Sequence, residues 1–376
     1  MDRIPVSQPY QWGNEIVYVT KAMRDNWISS SGEYIDRFEA DFAKYCKVRH
    51  GIACMNGTVA CHLAFAAAGI GSGDEVICPD FTMMAPVFSL LYLGAKPIFV
   101  DSDERSWTID VSKIEEKITS KTKAILAVHI YGHPCDMDAI HRIAKKYQLT
   151  VLEDAAEAHG AECLVNGEWR QAGSLSKTAA FSFYANKNIT TGEGGMVVTD
   201  DDAVAGRLRS LKNLCLGKTN ETRFIHEGVG YQYRMTNLQA AIGCAQMEHA
   251  DDAKNAKITI GKKYNKLLKD IPGLTLPPEC AWARNVYWVY GIRIEDDFGM
   301  TRQDVQKKLA SAGIETRSFF YPTHKQKMFS ELSSDNYEVS CKLWDRGFYI
   351  PSYIGMEDGA IERVADTLGK IQKRLL

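Results

Sequence analysis

Residues 51–101 read GIACMNGTVACHLAFAAAGIGSGDEVICPDFTMMAPVFSLLYLGAKPIFVD, and this stretch decides the fold. Residues 51–54 make a short apolar strand, and Asn56-Gly57-Thr58 opens a helix that runs to about Gly69. A turn at 71–74 leads into a second strand at 75–78. A helix over 85–93 ends at Gly94, and a third strand follows at 97–101. Further on, strands at 124–128 and 150–153 flank a helix over 137–147. Alternation of strand and helix predicts an α/β fold, with a mainly parallel sheet covered by helices on both faces. Ligands of such sheets bind beyond the carboxyl ends of the strands. Asn56, Asp80, His129 and Asp154 all fall at such ends.

The second half of the chain is punctuated differently. A long helical region spans 237–268 with breaks, and Pro272-Gly273 and Pro277-Pro278 interrupt the chain after it. Residues 288–294 alternate as a strand. Thr301 caps a helix over 301–312, with Asp304 three positions on. Residues 315–320 are extended, and a last helix covers 358–375. The expected organisation is a large domain over 1–250 and a smaller C-terminal α+β domain over 251–376, a size that suits 376 residues.

Composition excludes several classes. The formal net charge is −2 with both signs interspersed and no basic block, so nucleic acid is not an expected partner. No apolar run approaches the roughly 20 residues that cross a bilayer, so no membrane partner is expected. Residues 1–5 lack the apolar core of a signal peptide. The ten cysteines are scattered singly with no C-x-x-C pair, which fits a reducing cytoplasm and neither a disulfide framework nor a zinc site. His129 and His133 lack the acidic or thiol partners of a metal centre, so no metal is expected. There is no G-x-S-x-G and no P-loop, and Gly192-Glu193-Gly194-Gly195 lacks dinucleotide-binding spacing.

The chemistry centres on Lys187, in Ser182-Phe183-Tyr184-Ala185-Asn186-Lys187-Asn188 ahead of that glycine cluster. It follows a buried strand at 179–184. A partly desolvated amine that can swing suits a Schiff-base lysine, although a solvated surface lysine is the commoner case. Asp154 ends a hydrophobic strand, where a carboxylate keeps a heteroaromatic ring nitrogen protonated and the ring an electron sink, or simply caps a helix. The free amides at Gly57 and Thr58 suit a phosphate, or mark an ordinary capped helix. Ser182 is either a second phosphate contact or a satisfied buried hydroxyl.

With Lys187, Asp154 and Asn56-Gly57-Thr58 in chain order, the sequence resembles the sugar aminotransferase family of the DegT, DnrJ, EryC1 and StrS proteins. These are fold type I pyridoxal-phosphate (PLP) transferases, similar in fold to aspartate aminotransferase. The resemblance covers nearly the whole chain, including residues 27–32, 71–79, 94–101, 129–137, 153–160, 181–195, 230–237 and 315–324. It implies PLP, cycling with its pyridoxamine form, as cofactor. Lys187 is then the catalytic lysine that forms the Schiff base and moves the proton. Asp154 pairs with the pyridine nitrogen, and Gly57, Thr58 and Ser182 hold the phosphate. It also implies a homodimer with a shared active site, in which residues 230–234 reach the neighbour's phosphate.

The chain departs from the family at three of these places. Gln232 stands where Asn is usual, Met83 where an aromatic often stacks on the cofactor, and Glu157 where many relatives have Gln near the phenolic oxygen. Glu157 beside a second anion must be protonated, paired or turned away. The implied substrates are L-glutamate and a nucleotide-linked 4-keto-6-deoxy sugar, aminated to the 4-amino-4,6-dideoxy sugar. Residues 189–195, 233–237 and 316–324 look most like members that use GDP-4-keto-6-deoxymannose, with UDP- or dTDP-linked keto sugars as the alternative. Arg317 and His324 are candidates for the diphosphate, and Trp27, Ser29 and Tyr321 for the sugar pocket, with packing or surface roles equally open. A PLP/PMP-dependent sugar dehydratase of the same family carries histidine in place of the lysine, and Lys187 argues against it.

Overall fold

The computed structural model describes residues 3–217, 219–329 and 336–376. The signal-peptide reading rests partly on Met1 and Asp2, which lie outside the described residues. Two helices, α1 (Asn14–Arg24) and α2 (Glu33–Tyr45), precede the first strand. The alternating half then forms β1 (His50–Cys54), α3 (Gly57–Ala67), β2 (Glu75–Pro79), α4 (Met84–Tyr92) and β3 (Lys96–Val100). It continues through β4 (Thr122–Val128), α5 (Met137–Tyr147) and β5 (Thr150–Asp154). A hairpin of β6 (Glu162–Val165) and β7 (Glu168–Gln171) intervenes before β8 (Thr178–Ser182), β9 (Gly195–Thr199) and α6 (Asp202–Leu211).

Seven strands make one sheet in the order β1-β9-β8-β5-β4-β2-β3. The pairs from β8 to β3 are parallel, while β9 runs antiparallel to both of its neighbours. β2, β8 and β9 are buried at every position, because helices cover both faces; this is why they read as continuous rather than alternating apolar runs. α3 carries the same signature, with eight consecutive buried residues from Ala60 to Ala67. Its start is pressed onto the end of β8. A Cβ at Gly57 would sit 2.6 Å from the Ser182 Cβ, so only glycine permits that approach. α5 has the expected bounds, with Asp136 accepting from the Ala139 amide at 3.0 Å and Met137, Ile140, Ile143 and Ala144 on its buried face.

The long helical region divides at Glu248 and His249 into α7 (Asn237–Met247) and α8 (Ala250–Leu268). After it come β10 (Leu274–Thr275), β11 (Ala283–Arg284), β12 (Tyr290–Ile294), α9 (Arg302–Ser311) and β13 (Arg317–Ser318). The chain ends with α10 (Glu338–Arg346), β14 (Gly347–Ile350) and α11 (Asp358–Gln372). β10-β12-β14-β13 form a separate antiparallel sheet, whose core joins Ile292 and Phe348 to Tyr264, Leu309 and Leu368 from the helices. β11 leaves that sheet and pairs with β6, which ties the two halves together. The strand expected at 288–294 starts at Tyr290, since Tyr287 adopts a left-handed φ of 49° and turns the chain. Of the extended 315–320, only Arg317 and Ser318 join the ladder. Among the described residues no helix is long and apolar enough to cross a membrane.

Carboxylates at the strand ends hold the later elements in place. Asp101, just after β3, accepts from the Val339 and Ser340 amides at 3.1 and 2.9 Å and from the Ser340 hydroxyl at 2.8 Å. It thereby serves the first turn of α10 from a distant part of the chain. Truncation leaves these donors buried without a partner. Asp101→Ala is expected to destabilise the protein by about 2–4 kcal/mol, read from its urea midpoint, with Asp101→Asn losing less because it keeps one acceptor.

Candidate active site

The carboxyl ends of β5 and β8 are neighbours, with Asp154 in register with Ala180. Ser182 therefore lies close to Asp154, and the loop after it folds back on itself. The Phe183 amide donates to Gly194 O at 2.8 Å, Thr191 N to Phe183 O at 2.9 Å and Lys187 N to Tyr184 O at 2.9 Å. This closed loop aims Lys187 into a cleft. Its side chain is only 9 % exposed, its Nζ stands 3.8 Å from Glu157 Oε1, and it lies 3.5 Å from the ring centroid of Trp288. Trp288 is fixed by an indole N–H bond to Asn186 O at 2.8 Å.

The same cleft is lined by Gly57, Thr58, Met83, Asp154, Glu157, Ser182, Lys187 and Arg317 from the expected set. Asn56 caps α3 by accepting from the Val59 amide at 3.0 Å, leaving the Gly57 and Thr58 amides without a helical partner. Asp154 is buried and accepts from the Ala156 amide at 3.0 Å. Burial pushes its carboxyl above the usual range, against the pull of that amide and of Lys187. Glu157 Oε2 accepts from the Tyr131 amide at 2.7 Å. Burial, aided by the nearby Asp154, raises Glu157 to about 7 despite Lys187 and the Tyr131 amide. Burial likewise holds the Lys187 amine below its ordinary value, against the attraction of Glu157 and Asp154. Both members of the 3.8 Å pair are thus driven toward their neutral forms.

Other expected residues lie elsewhere. His324 is buried outside the cleft, with Nδ1 2.7 Å from Asp80 Oδ2 and its amide 2.7 Å from Oδ1. Tyr321 packs edge-on against Trp344. Trp27 and Ser29 are on the surface near α7, where their carbonyls accept from Asn237. Gln232 is exposed and bridges Asn213 rather than facing this cleft. Asp80 and His129, both at strand ends, are likewise engaged away from the cleft, His129 Nε2 lying 3.0 Å from Glu153. Conversely, Trp288, Phe320, Tyr349, Tyr184 and Glu193 line the cleft without having been singled out. Trp288, Phe320 and Tyr349 come from the C-terminal sheet and its loops, and only tertiary packing brings them over Lys187.

A buried lysine at the end of a mixed seven-stranded sheet, facing a buried aspartate and roofed by a smaller antiparallel sheet, defines an aminotransferase of the aspartate aminotransferase type. Residues 10–369 match the DegT/DnrJ/EryC1/StrS aminotransferase family, and the chain belongs to it. A protein of Caulobacter vibrioides named GDP-perosamine synthase is 42% identical over 99% of both chains. One of the same name from Escherichia coli O157:H7 is 41% identical over 98% of this chain and 99% of its own. Among solved structures, S. venezuelae DesV in complex with a ketimine intermediate superposes with a TM-score of 0.91 over 100% of both chains at 30% identity.

The raised Glu157 carboxyl has a consequence for stability. Its ordinary value is 4.5 and its folded value about 7, so between these pH values the folded chain holds a proton that the unfolded chain has lost. That contribution is full below 4.5 and falls away as pH rises to about 7. The thermal midpoint of cofactor-free protein should therefore decline relative to Glu157→Gln across that window and run parallel to it above. Parallel curves throughout would show an ordinary, ionised glutamate.

Proposed function

We propose that the chain is a PLP-dependent aminotransferase that moves the amino group of L-glutamate to C4 of GDP-4-keto-6-deoxymannose, as a GDP-perosamine synthase would. The two relatives of that name, matched over nearly their full lengths, support this substrate. The observation that carries the reading is the buried Lys187 amine beside Glu157 and Trp288, in one cleft with Asp154 and the start of α3. These residues fit the cofactor. Gly57 leaves a cradle against Ser182 that a Cβ would fill, and the Gly57 and Thr58 amides, the Ser182 hydroxyl and the α3 dipole form a donor set for a phosphate. Asp154 supplies an acceptor for a ring N–H, Met83 an apolar contact for the ring, and Glu157 a group for the phenolic oxygen.

When bound, PLP supplies an electron sink that stabilises a carbanion at the carbon losing its proton. The chain does the rest. Asp154 holds a proton on the ring nitrogen. Lys187, whose amine burial holds below its ordinary value, takes a proton from the donor's α-carbon and returns one to the sugar carbon. Glu157, near neutral in its titration, can stand beside the phenolic oxygen without two anions facing each other. Arg317 at the exposed rim is placed for a substrate phosphate or carboxylate. His324, tied to Asp80, is positioned to brace the 321–325 segment. Trp27, Ser29 and Tyr321 remain candidates for the sugar only at an interface.

Such an interface is the homodimer. The stretch 219–230 exposes Phe224, Ile225 and Val229 at 80%, 63% and 86%, apolar surface that a second copy would cover. Gln232 of the partner subunit would then reach the phosphate. Residues 1–250 carry the cofactor and 251–376 close the cleft with Trp288 and Arg317. A cytoplasmic setting suits ten free cysteines.

Lys187→Ala is expected to lower turnover by at least about 10²–10⁴-fold and to abolish borohydride trapping of the cofactor, while the protein stays folded; label at another lysine would sink this assignment. Asp154→Asn should cost several orders of magnitude in turnover, because the ring loses its stabilised positive charge. A panel of GDP-, UDP- and dTDP-linked 4-keto and 3-keto sugars, assayed with glutamate, should give turnover with the GDP-4-keto sugar; preference for another nucleotide would overturn the substrate.

A further inference from the structure

Outside the cleft, three side chains form a relay. Asp80, fully buried after β2, accepts from the backbone N–H of His324 through Oδ1 and faces His324 Nδ1 through Oδ2, each at 2.7 Å. A carboxylate oxygen only accepts, so Nδ1 carries the hydrogen and Nε2 keeps its lone pair. That lone pair faces the Cys341 Sγ at 3.9 Å, on the first turns of α10. The imidazole is locked in this pose by stacking on Tyr337, with centroids 4.5 Å apart. Lys325 is also near the thiol: interaction with Cys341, and with Asp345 one turn further along α10, raises the lysine above its ordinary value. Eight of the ten cysteines are buried; Cys341 and Cys280 alone reach solvent. Cys280 differs in its surroundings, since its thiol points at the Arg105 carbonyl.

We propose that Cys341 is a reactive thiol, activated by the His324–Asp80 pair, which a hydroperoxide converts to a sulfenic acid. The thiol proton passes to His324 Nε2, where the resulting imidazolium is held by Asp80 and the thiolate by Lys325. The thiolate sulfur then attacks the nearer peroxide oxygen. An S–O bond forms, the O–O bond breaks, and the leaving hydroxide or alkoxide takes the proton from His324. Cysteine is oxidised to the sulfenic acid, and the peroxide is reduced to one water, or to one alcohol where it is an organic hydroperoxide. The arrangement does not depend on the substrate assignment, because none of its members lines the cleft.

The test is competitive labelling of the folded holoenzyme with limiting iodoacetamide, read by peptide mass. Cys341 should react at least about tenfold faster than Cys280, as an activated thiol does beside an ordinary one. His324→Gln should bring Cys341 down to the rate of Cys280. The eight buried cysteines serve as the fold control, since they stay unlabelled unless the variant unfolds; in that event Lys325→Gln, which removes the neighbouring ammonium, carries the test with the same expected fall. Hydrogen peroxide followed by dimedone should place the sulfenic adduct at Cys341. Equal rates at the two exposed thiols, an undiminished Cys341 rate in the folded variant, or a dimedone adduct elsewhere would overturn the proposal.

Discussion

One amine and two carboxylates are buried together at the carboxyl end of the sheet, and much of the site's chemistry follows from that constraint. A lone charge in such a place is costly, and an ion pair regains that cost only with close geometry. Here Lys187 and Glu157 stand 3.8 Å apart, a loose approach, and both are shifted toward neutrality. Burial thus favours the uncharged amine at Lys187, against the attraction of Glu157 and Asp154. The closed loop between Phe183 and Gly194 keeps the amine from escaping to water, and the Trp288 ring, just ahead of β12, covers it.

Sheet topology explains why this constraint arises at Asp154 and not at its neighbours. A parallel sheet gathers acids at one edge, and most of them are engaged elsewhere. Asp80 holds His324, and Asp101 holds the start of α10. Glu153, one residue before Asp154 on the opposite face, accepts from His129, Gly173, Leu175 and Ser176. These bonds anchor the C-terminal elements and the 129–135 loop. Asp154 keeps one backbone partner, Ala156, and turns the rest of its carboxylate to the cleft. The acids that brace the scaffold leave the cleft to the one with the fewest hydrogen-bond partners.

The sequence showed the strands and helices of the alternating half because their signals are local. Short apolar runs and glycine turns mark those elements within a few residues, as the Thr301 cap marks a helix in the second half. The first two helices escaped for want of a sharp boundary, since glycine occupies both N-cap positions with no side-chain cap. The β6–β7 hairpin is a four-residue pair turning at Asn166 and Gly167, too brief to stand out from loop. At the site, Lys187, Asp154, Gly57, Thr58 and Ser182 were legible because strand ends set them. His324 was not, because a histidine next to a substrate-like segment looks the same in sequence whether it faces a ligand or an aspartate 244 positions away. Trp288 was invisible for the same reason: its partner is an amine about a hundred positions earlier, in the loop between β8 and β9.

Tyr131 shows how the two sheets are made to agree at the cleft. It adopts a left-handed backbone, φ 55° and ψ 17°, which a bulky residue tolerates only when packing enforces it. The packing is present in Phe81, Phe319, Phe320 and Trp288 around its ring. The strained turn points its amide at Glu157, 2.7 Å away, while its hydroxyl accepts the Phe320 N–H at 3.1 Å. One residue therefore fixes the acid beside Lys187 and the start of the segment that follows Arg317. A glycine would reach the same backbone angles at no steric cost, but without the ring it would hold neither the aromatic cluster nor the hydroxyl link. The strain accompanies the joining of the acid beside Lys187 to the 320 segment through a single residue, its amide on one side and its hydroxyl on the other.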